Sequence, residues 1–85
     1  MSNWYNMLQE IMEEDKENFL QKKCTLTDDE LKIDFDAGFG GSEGCPFTAW
    51  GKKWVYFPIV YDGSEWIGHA PRFPCKIEMG HQGGE

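Results

Sequence analysis

The sequence has no apolar run long enough to cross a membrane and no apolar stretch typical of an export signal. A membrane-spanning helix needs ~18–20 consecutive apolar residues, and a signal peptide needs an apolar core of ~7–15. The first 23 residues are instead interrupted by acids, namely Glu10, Glu13, Glu14, Asp15 and Glu17. We therefore expect a cytoplasmic protein that has no contact with a membrane.

Cysteine and histidine are few and scattered. The three cysteines, Cys24, Cys45 and Cys75, are odd in number and widely spaced, so we interpret them as thiols. No two of the cysteines and the histidines, His69 and His81, are closer than six residues. Structural zinc ligands usually come in pairs about two to four residues apart. The pattern predicts buried structural cysteines, with no metal and no cofactor; a zinc protein or a thiol enzyme is the less favoured alternative.

Basic residues are also scarce, with 8 Lys and Arg against 15 Asp and Glu and a net charge of −7. Residues 1–43 hold eleven acids and four lysines, whereas residues 44–85 hold four acids and four bases. Such a surface repels the phosphates of nucleic acids, so we expect no direct nucleic-acid binding. Complementary charge favours a basic protein partner.

Aromatic residues, in contrast, are abundant at 15% of the 85 residues. A chain of this length forms one domain and buries only ~60–65% of the surface of its unfolded form. Because one aromatic ring can bury ~150–250 Å², this composition favours a folded domain over disorder. We assign residues 1–79 to a single domain and residues 80–85 to a flexible tail.

The N-terminal segment has the pattern of an amphipathic helix that Ser2 or Asn3 caps and that ends at about Lys23. Its apolar stripe consists of Trp4, Leu8, Ile11, Met12 and Phe19. Its opposite side carries Glu10, Glu13, Glu14 and Glu17. Asp15 falls within the apolar stripe, so it either meets a buried partner or marks the point where the helix leaves the core.

Residues 26–37 carry two conflicting patterns. Thr27 followed by Glu30 is a capping box, which favours the start of a helix. The alternation of Leu31, Ile33 and Phe35 with polar residues favours a half-buried strand. We predict a short turn followed by a strand that exposes Glu30, Asp34 and Asp36, and then a flexible loop over residues 39–45.

Three strands follow with recognisable turns. Gly51-Lys52 suits a two-residue type II′ turn and Asp62-Gly63 a type I′ turn. The predicted strands, 47–50, 53–61 and 64–69, form an antiparallel meander, with a short last strand over 75–79. Pro58 suggests a bulge or a strand that is unpaired on one side. The fold class is thus α+β, an N-terminal helix packed on an antiparallel sheet of three to five strands.

Both faces of this sheet are apolar if the two turns have two-residue loops. One face carries Phe47, Ala49, Trp54, Tyr56, Val60 and Ile67. The other carries Trp50, Val55, Phe57, Ile59, Tyr61 and Trp66. One helix covers one face only, so the tail, a second subunit or a partner must cover the other. A three-residue second loop would exchange Trp66 and Ile67 between the faces.

The run WVYFPIVYDGSEWIGHAP, from Trp54 to Pro71, closes with Arg72-Phe73-Pro74-Cys75. It is similar to small proteins encoded by phages and mobile elements of gut Firmicutes that share a V-Y-F-P-V-x-Y-D-G-x-E-W-V-G-x-x-P-R core. The similarity covers about a third of the chain. The family has no assigned activity, so the resemblance implies only an accessory protein of bacterial or phage origin.

The first hypothesis is a non-enzymatic interaction protein that binds a basic protein, in one version as a counter-defence inhibitor that imitates nucleic-acid charge. Its hypothetical partner-binding residues are Glu10, Glu13, Glu14, Glu17, Asp34, Asp36, Trp50, Trp54, Tyr56 and Trp66. The second is a small-ligand or carbohydrate module built on exposed Trp and Tyr side chains. Homodimerisation through the second sheet face is compatible with either hypothesis.

Overall fold

The antiparallel sheet follows the order of the chain. A computed structural model describes residues 2–35, 44–61 and 64–81. Within these ranges, the sheet has the order β1-β2-β3-β4. Its strands are β1 (Lys23–Cys24), β2 (Ala49–Trp50), β3 (Trp54–Tyr61) and β4 (Ser64–Pro71). The predicted meander and the α+β class are confirmed, and β1 is an additional strand. The described residues 75–79 form no strand, so the predicted last strand is wrong.

The first hairpin turn lies one residue later than predicted. Trp50 pairs with Val55, so Lys52 and Lys53 form the turn rather than Gly51 and Lys52. Gly51 extends the ladder, because its N–H donates to a carbonyl at the start of β3 over 2.9 Å. The pairing partner of Trp50 thereby shifts by two residues. Since side chains alternate with a period of two, every side chain keeps its predicted face.

The second hairpin has the predicted register. Tyr61 pairs with Ser64, and the ladder continues without interruption to the end of β4. This pairing leaves two residues between the strands. It therefore excludes the three-residue loop that would have exchanged Trp66 and Ile67 between the sheet faces. At Pro58, the described residues of β2 no longer reach β3, because β2 pairs only with Val55 and Tyr56. Pro58 is therefore paired on the β4 side alone, one of its two predicted settings.

The N-terminal helix, α1, spans Trp4–Glu14 and is shorter than predicted. Of the two predicted caps, Asn3 is used: its side chain accepts a hydrogen bond from the N–H of Asn6 over 2.9 Å. Lys16 ends the helix because its backbone has a positive φ of 59°. The predicted end near Lys23 is wrong.

The helix end is a Schellman motif. The N–H of Glu17 donates to the carbonyl of Met12 over 2.8 Å, and that of Lys16 donates to Glu13 over 3.0 Å. The chain then turns through a 3₁₀ turn over Phe19–Gln21, which returns Phe19 to the core. The periodic stripe thus continues past the helix although the helix itself has stopped.

The segment after β1 begins with a helical turn, so the predicted strand is wrong here. α2 spans Asp28–Leu31 and has the full capping box between Thr27 and Glu30. The N–H of Thr27 donates to the Glu30 carboxylate over 2.9 Å, and this bond holds the pKa of Glu30 below its usual value. Ile33 is 64% exposed, against the predicted alternation. Only a single bridge, at Phe35, remains of the strand within the described residues.

Helix α1 covers the sheet face that carries Ala49, Tyr56 and Ile67, all of which are buried. The buried apolar residues are Trp4, Leu8, Met12, Phe19, Leu31, Phe35, Phe47, Ala49, Tyr56 and Ile67. On the opposite face, Trp50, Val55, Phe57 and Ile59 are half-buried and Trp66 is exposed. Several predicted features lie outside the described residues: Asp36, residues 39–43 of the predicted loop, the predicted Asp62-Gly63 turn and tail residues 82–85.

Candidate functional site

A polar cluster holds the end of α1 against the sheet. Oδ2 of Asp15 accepts a hydrogen bond from the Tyr56 hydroxyl over 3.0 Å and lies 2.7 Å from Nδ1 of His69. Because an ionised carboxylate only accepts hydrogen bonds, His69 donates through Nδ1. Asp15 is therefore both the C-cap of the helix and the partner of the buried Tyr56, so both outcomes predicted for it occur together.

Tyr56 is the most enclosed member of this cluster, with no exposed surface. Its burial, and then the hydrogen bond and the charge of Asp15, raise its pKa far above the usual value. The phenol is therefore a hydrogen-bond donor at neutral pH and not a nucleophile. Tyr56 also contributes nothing to an exposed surface, which corrects its predicted place among the partner-binding residues.

Trp54 and Glu17 complete this end of the sheet. The Trp54 indole stacks on the His69 ring with centroids 4.5 Å apart and planes at 18°. Oε2 of Glu17 accepts the backbone N–H groups of Lys53 and Trp54 over 2.9 and 3.1 Å. Glu17 thus points at the first hairpin turn and is not part of the acidic helix side.

Two of the remaining helix acids line a groove together with an exposed tryptophan. Glu10, Glu13 and Glu14 are all exposed on α1, and Trp66 is 38% exposed on the neighbouring edge strand β4. A shallow groove of about 210 Å³ runs between helix and strand, and we call it the Trp66 groove. Its lining consists of Met7, Glu10, Ile11, Glu14, Trp66 and Ile67. It therefore combines an aromatic residue, apolar residues and two acidic residues.

The other predicted partner-binding residues lie elsewhere. Asp34 is exposed and accepts a hydrogen bond from Asn3 over 3.1 Å, at the opposite end of α1. Trp50 and Trp66 share one sheet face, whereas Trp54 is on the other. The three tryptophans consequently do not form one flat platform, which gives a carbohydrate module no common stacking surface.

Two cysteines are more exposed than predicted. Cys45 and Cys75 are exposed and Cys24 is half-buried, and all three are free thiols. The expectation of buried cysteines is wrong because Cys45 lies in the loop before β2 and Cys75 follows the sheet. Within the described part of the chain, the ring of His69 contacts Asp15, Trp54 and Tyr56 and no cysteine.

Among residues 2–35, 44–61 and 64–81, no three His, Cys, Asp or Glu side chains are placed to hold a metal ion. The helices in the same ranges are too short and too polar to cross a membrane. No protein-family model, no curated protein and no solved structure matches this chain. The candidate site is therefore assigned from the arrangement of the described residues alone.

Sequence reasoning identified the carboxylates and the tryptophan of the Trp66 groove but missed its apolar walls. Met7 flanks the predicted helix stripe, and Ile67 belongs to the predicted sheet face that also carries Tyr56, without a prediction of which face the helix covers. Their convergence depends on where α1 crosses β4, and a single sequence carries no signal for that crossing point.

Proposed function

We propose that this protein is a non-enzymatic interaction protein that binds a basic segment of a partner protein in the Trp66 groove. The observation that carries this proposal is that Trp66, which is 38% exposed, lines one shallow groove together with Glu10 and Glu14. Tryptophan is a frequent anchor of protein interfaces, and apolar walls give such an anchor a surface to bury.

The charges around the groove select the sign of the partner. Helix α1 contains no Lys or Arg between Trp4 and Glu14. An arginine or lysine of the partner lying over Trp66 would gain ~0.5–1 kcal/mol from the cation–π contact. Each exposed pair with Glu10 or Glu14 would add ~0.2–1 kcal/mol. These increments are small, so affinity depends on the aromatic anchor, while the carboxylates determine which partner approaches.

The chain's excess of negative charge extends this preference over a longer range. A net charge of −7 speeds encounter with a basic protein and repels nucleic acid directly. A counter-defence inhibitor of phage or mobile-element origin, acting in the bacterial cytoplasm on a nucleic-acid-binding protein, is the version that fits this charge and the resemblance of the β3–β4 segment.

A direct binding experiment tests the groove. A hexa-arginine peptide is titrated into the full chain while the indole N–H signals of the four tryptophans are followed by NMR. We expect the Trp66 signal to move, and the shift to weaken as salt is raised. The double variant Glu10→Gln/Glu14→Gln should weaken binding, whereas the matched double variant Asp29→Asn/Glu78→Gln, which removes two exposed charges elsewhere, should not.

Capture from a bacterial lysate then identifies the natural partner. A basic protein retained by the wild type and lost with Trp66→Ala and with the groove double variant would support the proposal. Equal capture by the wild type and the groove variants would contradict it, as would a partner whose retention does not change with salt.

A second copy of the chain is the competing occupant of the open sheet face. That face has half-buried Val55, Phe57 and Ile59 next to exposed Trp66. Homodimerisation through it predicts a concentration-dependent mass in sedimentation equilibrium that Phe57→Ser abolishes. A monomeric mass across the accessible concentrations would eliminate this candidate.

A further inference from the structure

A second groove differs in charge from the rest of the molecule. It lies where the end of α1 meets β1 and the first hairpin turn, has a volume of about 330 Å³, and is called here the Trp50 groove. Its charged lining residues are Lys16, Glu17, Lys23, Lys52 and Arg72. Four of the chain's eight Lys and Arg therefore line one groove in a protein with a net charge of −7.

These cations are available to a ligand. Lys16, Lys23 and Lys52 are exposed, and within the described residues none of them forms an ion pair with a carboxylate. The Arg72 guanidinium is held in place, because it donates to the carbonyl of Gly51 over 3.0 Å and lies 5.3 Å from the ring of Phe73.

The one acid in the groove is already engaged. Oε2 of Glu17 accepts hydrogen bonds from the backbone N–H groups of Lys53 and Trp54, so its charge faces the hairpin turn. Four cations against one engaged carboxylate leave the groove with a local excess of positive charge. Holding like charges together without partners is unfavourable for folding alone, so stability does not account for this arrangement.

One aromatic residue, Trp50, lies among the residues that line the groove. Trp50 is half-buried there and shares its sheet face with Lys23, its partner in the pairing of β1 with β2. An aromatic side chain beside cations suits a ligand that combines a planar ring with a negative group.

We propose that the Trp50 groove binds a nucleotide, with the phosphate held by Lys23, Lys52 and Arg72 and the base stacked on Trp50. Its volume is at the lower end of ligand pockets, which are ~300–1,000 Å³, and so suits a mononucleotide. A nucleic-acid strand would have to extend past the acidic half of the chain, whose charge repels it. The site is separate from the Trp66 groove and does not depend on the proposed partner.

NMR titration of the full chain at constant ionic strength tests this site. The probes are adenosine monophosphate, adenosine and inorganic phosphate, and the readouts are the Trp50 indole N–H and the backbone N–H of Lys23. We expect the monophosphate to move both signals with a dissociation constant roughly tenfold lower than that of adenosine or of phosphate, because each probe lacks one of the two interactions.

Charge variants provide the specificity control. Lys23→Gln/Lys52→Gln should weaken binding of the monophosphate by roughly tenfold, since two charge contacts are lost. Lys32→Gln/Lys76→Gln, which changes the net charge equally outside the groove, should leave binding unchanged. Lys52→Gln alone serves if the first pair does not fold, because Lys52 lies in an exposed turn.

Three results would each overturn the proposal. The Trp50 signal could stay unmoved at millimolar monophosphate, the two charge-matched pairs could weaken binding equally, or inorganic phosphate could bind as tightly as the monophosphate. The first result would show that no nucleotide binds at Trp50. The second would show that binding depends only on the net charge of the chain. The third would show that the base does not contribute to binding.

Discussion

Removing the Asp15 carboxylate should reveal how much the polar cluster contributes to stability. Oδ2 of Asp15 serves both the Tyr56 hydroxyl and Nδ1 of His69, at 3.0 and 2.7 Å. A hydrogen bond to a charged group contributes ~1.5–3 kcal/mol. In the opposite direction, a carboxylate at a helix C-terminus costs ~0.3–1 kcal/mol through the helix dipole. Since two such bonds are lost, we expect Asp15→Ala to lower the free energy of unfolding by ~2–6 kcal/mol.

The sign of the stability change that Tyr56→Phe causes in the Asp15→Ala background is a sharper test. In the wild type, Tyr56→Phe removes a satisfied hydroxyl and should cost ~1 kcal/mol. In the Asp15→Ala background the same hydroxyl is buried without its acceptor, and an unsatisfied buried group costs ~1–3 kcal/mol. There, Tyr56→Phe should be neutral or stabilising, which corresponds to a coupling energy of ~1–3 kcal/mol between the two sites.

Urea unfolding followed by tryptophan fluorescence and circular dichroism measures all four members of the cycle. Trp54 is a local reporter, because it stacks on His69. If the free energy of unfolding falls by ~1 kcal/mol per molar urea, the urea midpoint of Asp15→Ala should fall by ~2–6 M. Glu13→Ala, which removes an exposed carboxylate from the same helix, should stay within ~0.5 kcal/mol of the wild type. An equal cost of Tyr56→Phe in both backgrounds would show that Asp15 and Tyr56 are not coupled.

Three further predictions concern pH, the helix end and the hairpin turn. Because burial and Asp15 raise the pKa of Tyr56 above its ordinary value, its neutral phenol contributes stability that is complete below about pH 10 and is lost at higher pH. The urea midpoint of the wild type should thus fall more steeply with pH than that of Tyr56→Phe above about pH 10, and the two should run parallel below it. Lys16→Gly should stabilise the chain by ~1 kcal/mol in thermal unfolding because it relieves the positive φ, whereas Lys16→Ala, which retains Cβ, should give no gain. Gly51→Ala should cost ~1–3 kcal/mol, because the new Cβ would collide with the hydrogen-bonded Glu17 carboxylate. In denaturant unfolding, Gly51→Ala should lower the free energy of unfolding by less in a Glu17→Ala background than in the wild type. An equal loss in both backgrounds would show that the cost arises from the backbone and not from contact with Glu17.

The meander of β2, β3 and β4 was predictable because its determinants are local, whereas β1 was missed. Alternating side chains assigned the two faces of β3 and β4, and the Asp62-Gly63 signal gave the register that pairs Tyr61 with Ser64. The first turn moved from its predicted position, but the shift of two residues in pairing kept the faces. An error in register of an even number of residues therefore leaves the predicted assignment of side chains to the two sheet faces unchanged.

The end of α1 was not predictable because its determinants are distant. Asp15 meets Tyr56 and His69 at separations of 41 and 54 residues. Helical periodicity also misleads here, since Phe19 rejoins the core through a 3₁₀ turn and so extends the stripe beyond the helix. The strand predicted after Leu31 failed for a local reason: the capping box already satisfies a helical turn.

The candidate sites were likewise predictable in part: the types of residue could be predicted from the sequence, but their convergence in space could not. The acids of α1 and the exposed aromatic ring of Trp66 were foreseeable as types of residue. Their convergence in the Trp66 groove, and that of four cations around Trp50, require the crossing of helix and sheet. In sequence these cations are scattered between Lys16 and Arg72 in a chain whose net charge has the opposite sign.

The pairing order of the strands has a kinetic consequence. The β3–β4 hairpin joins eight residue pairs across a two-residue gap, whereas β1 adds only two pairs to β2. Closing the 24 residues 25–48 between β1 and β2 costs ~3 kcal/mol of chain entropy by the logarithmic rule, apart from its constant. We therefore expect the hairpin to form in the folding transition state and β1 to dock late. Substitutions at Ile59 should then slow refolding, and substitutions at Cys24 should chiefly accelerate unfolding; the reverse assignment in stopped-flow experiments would exclude this order.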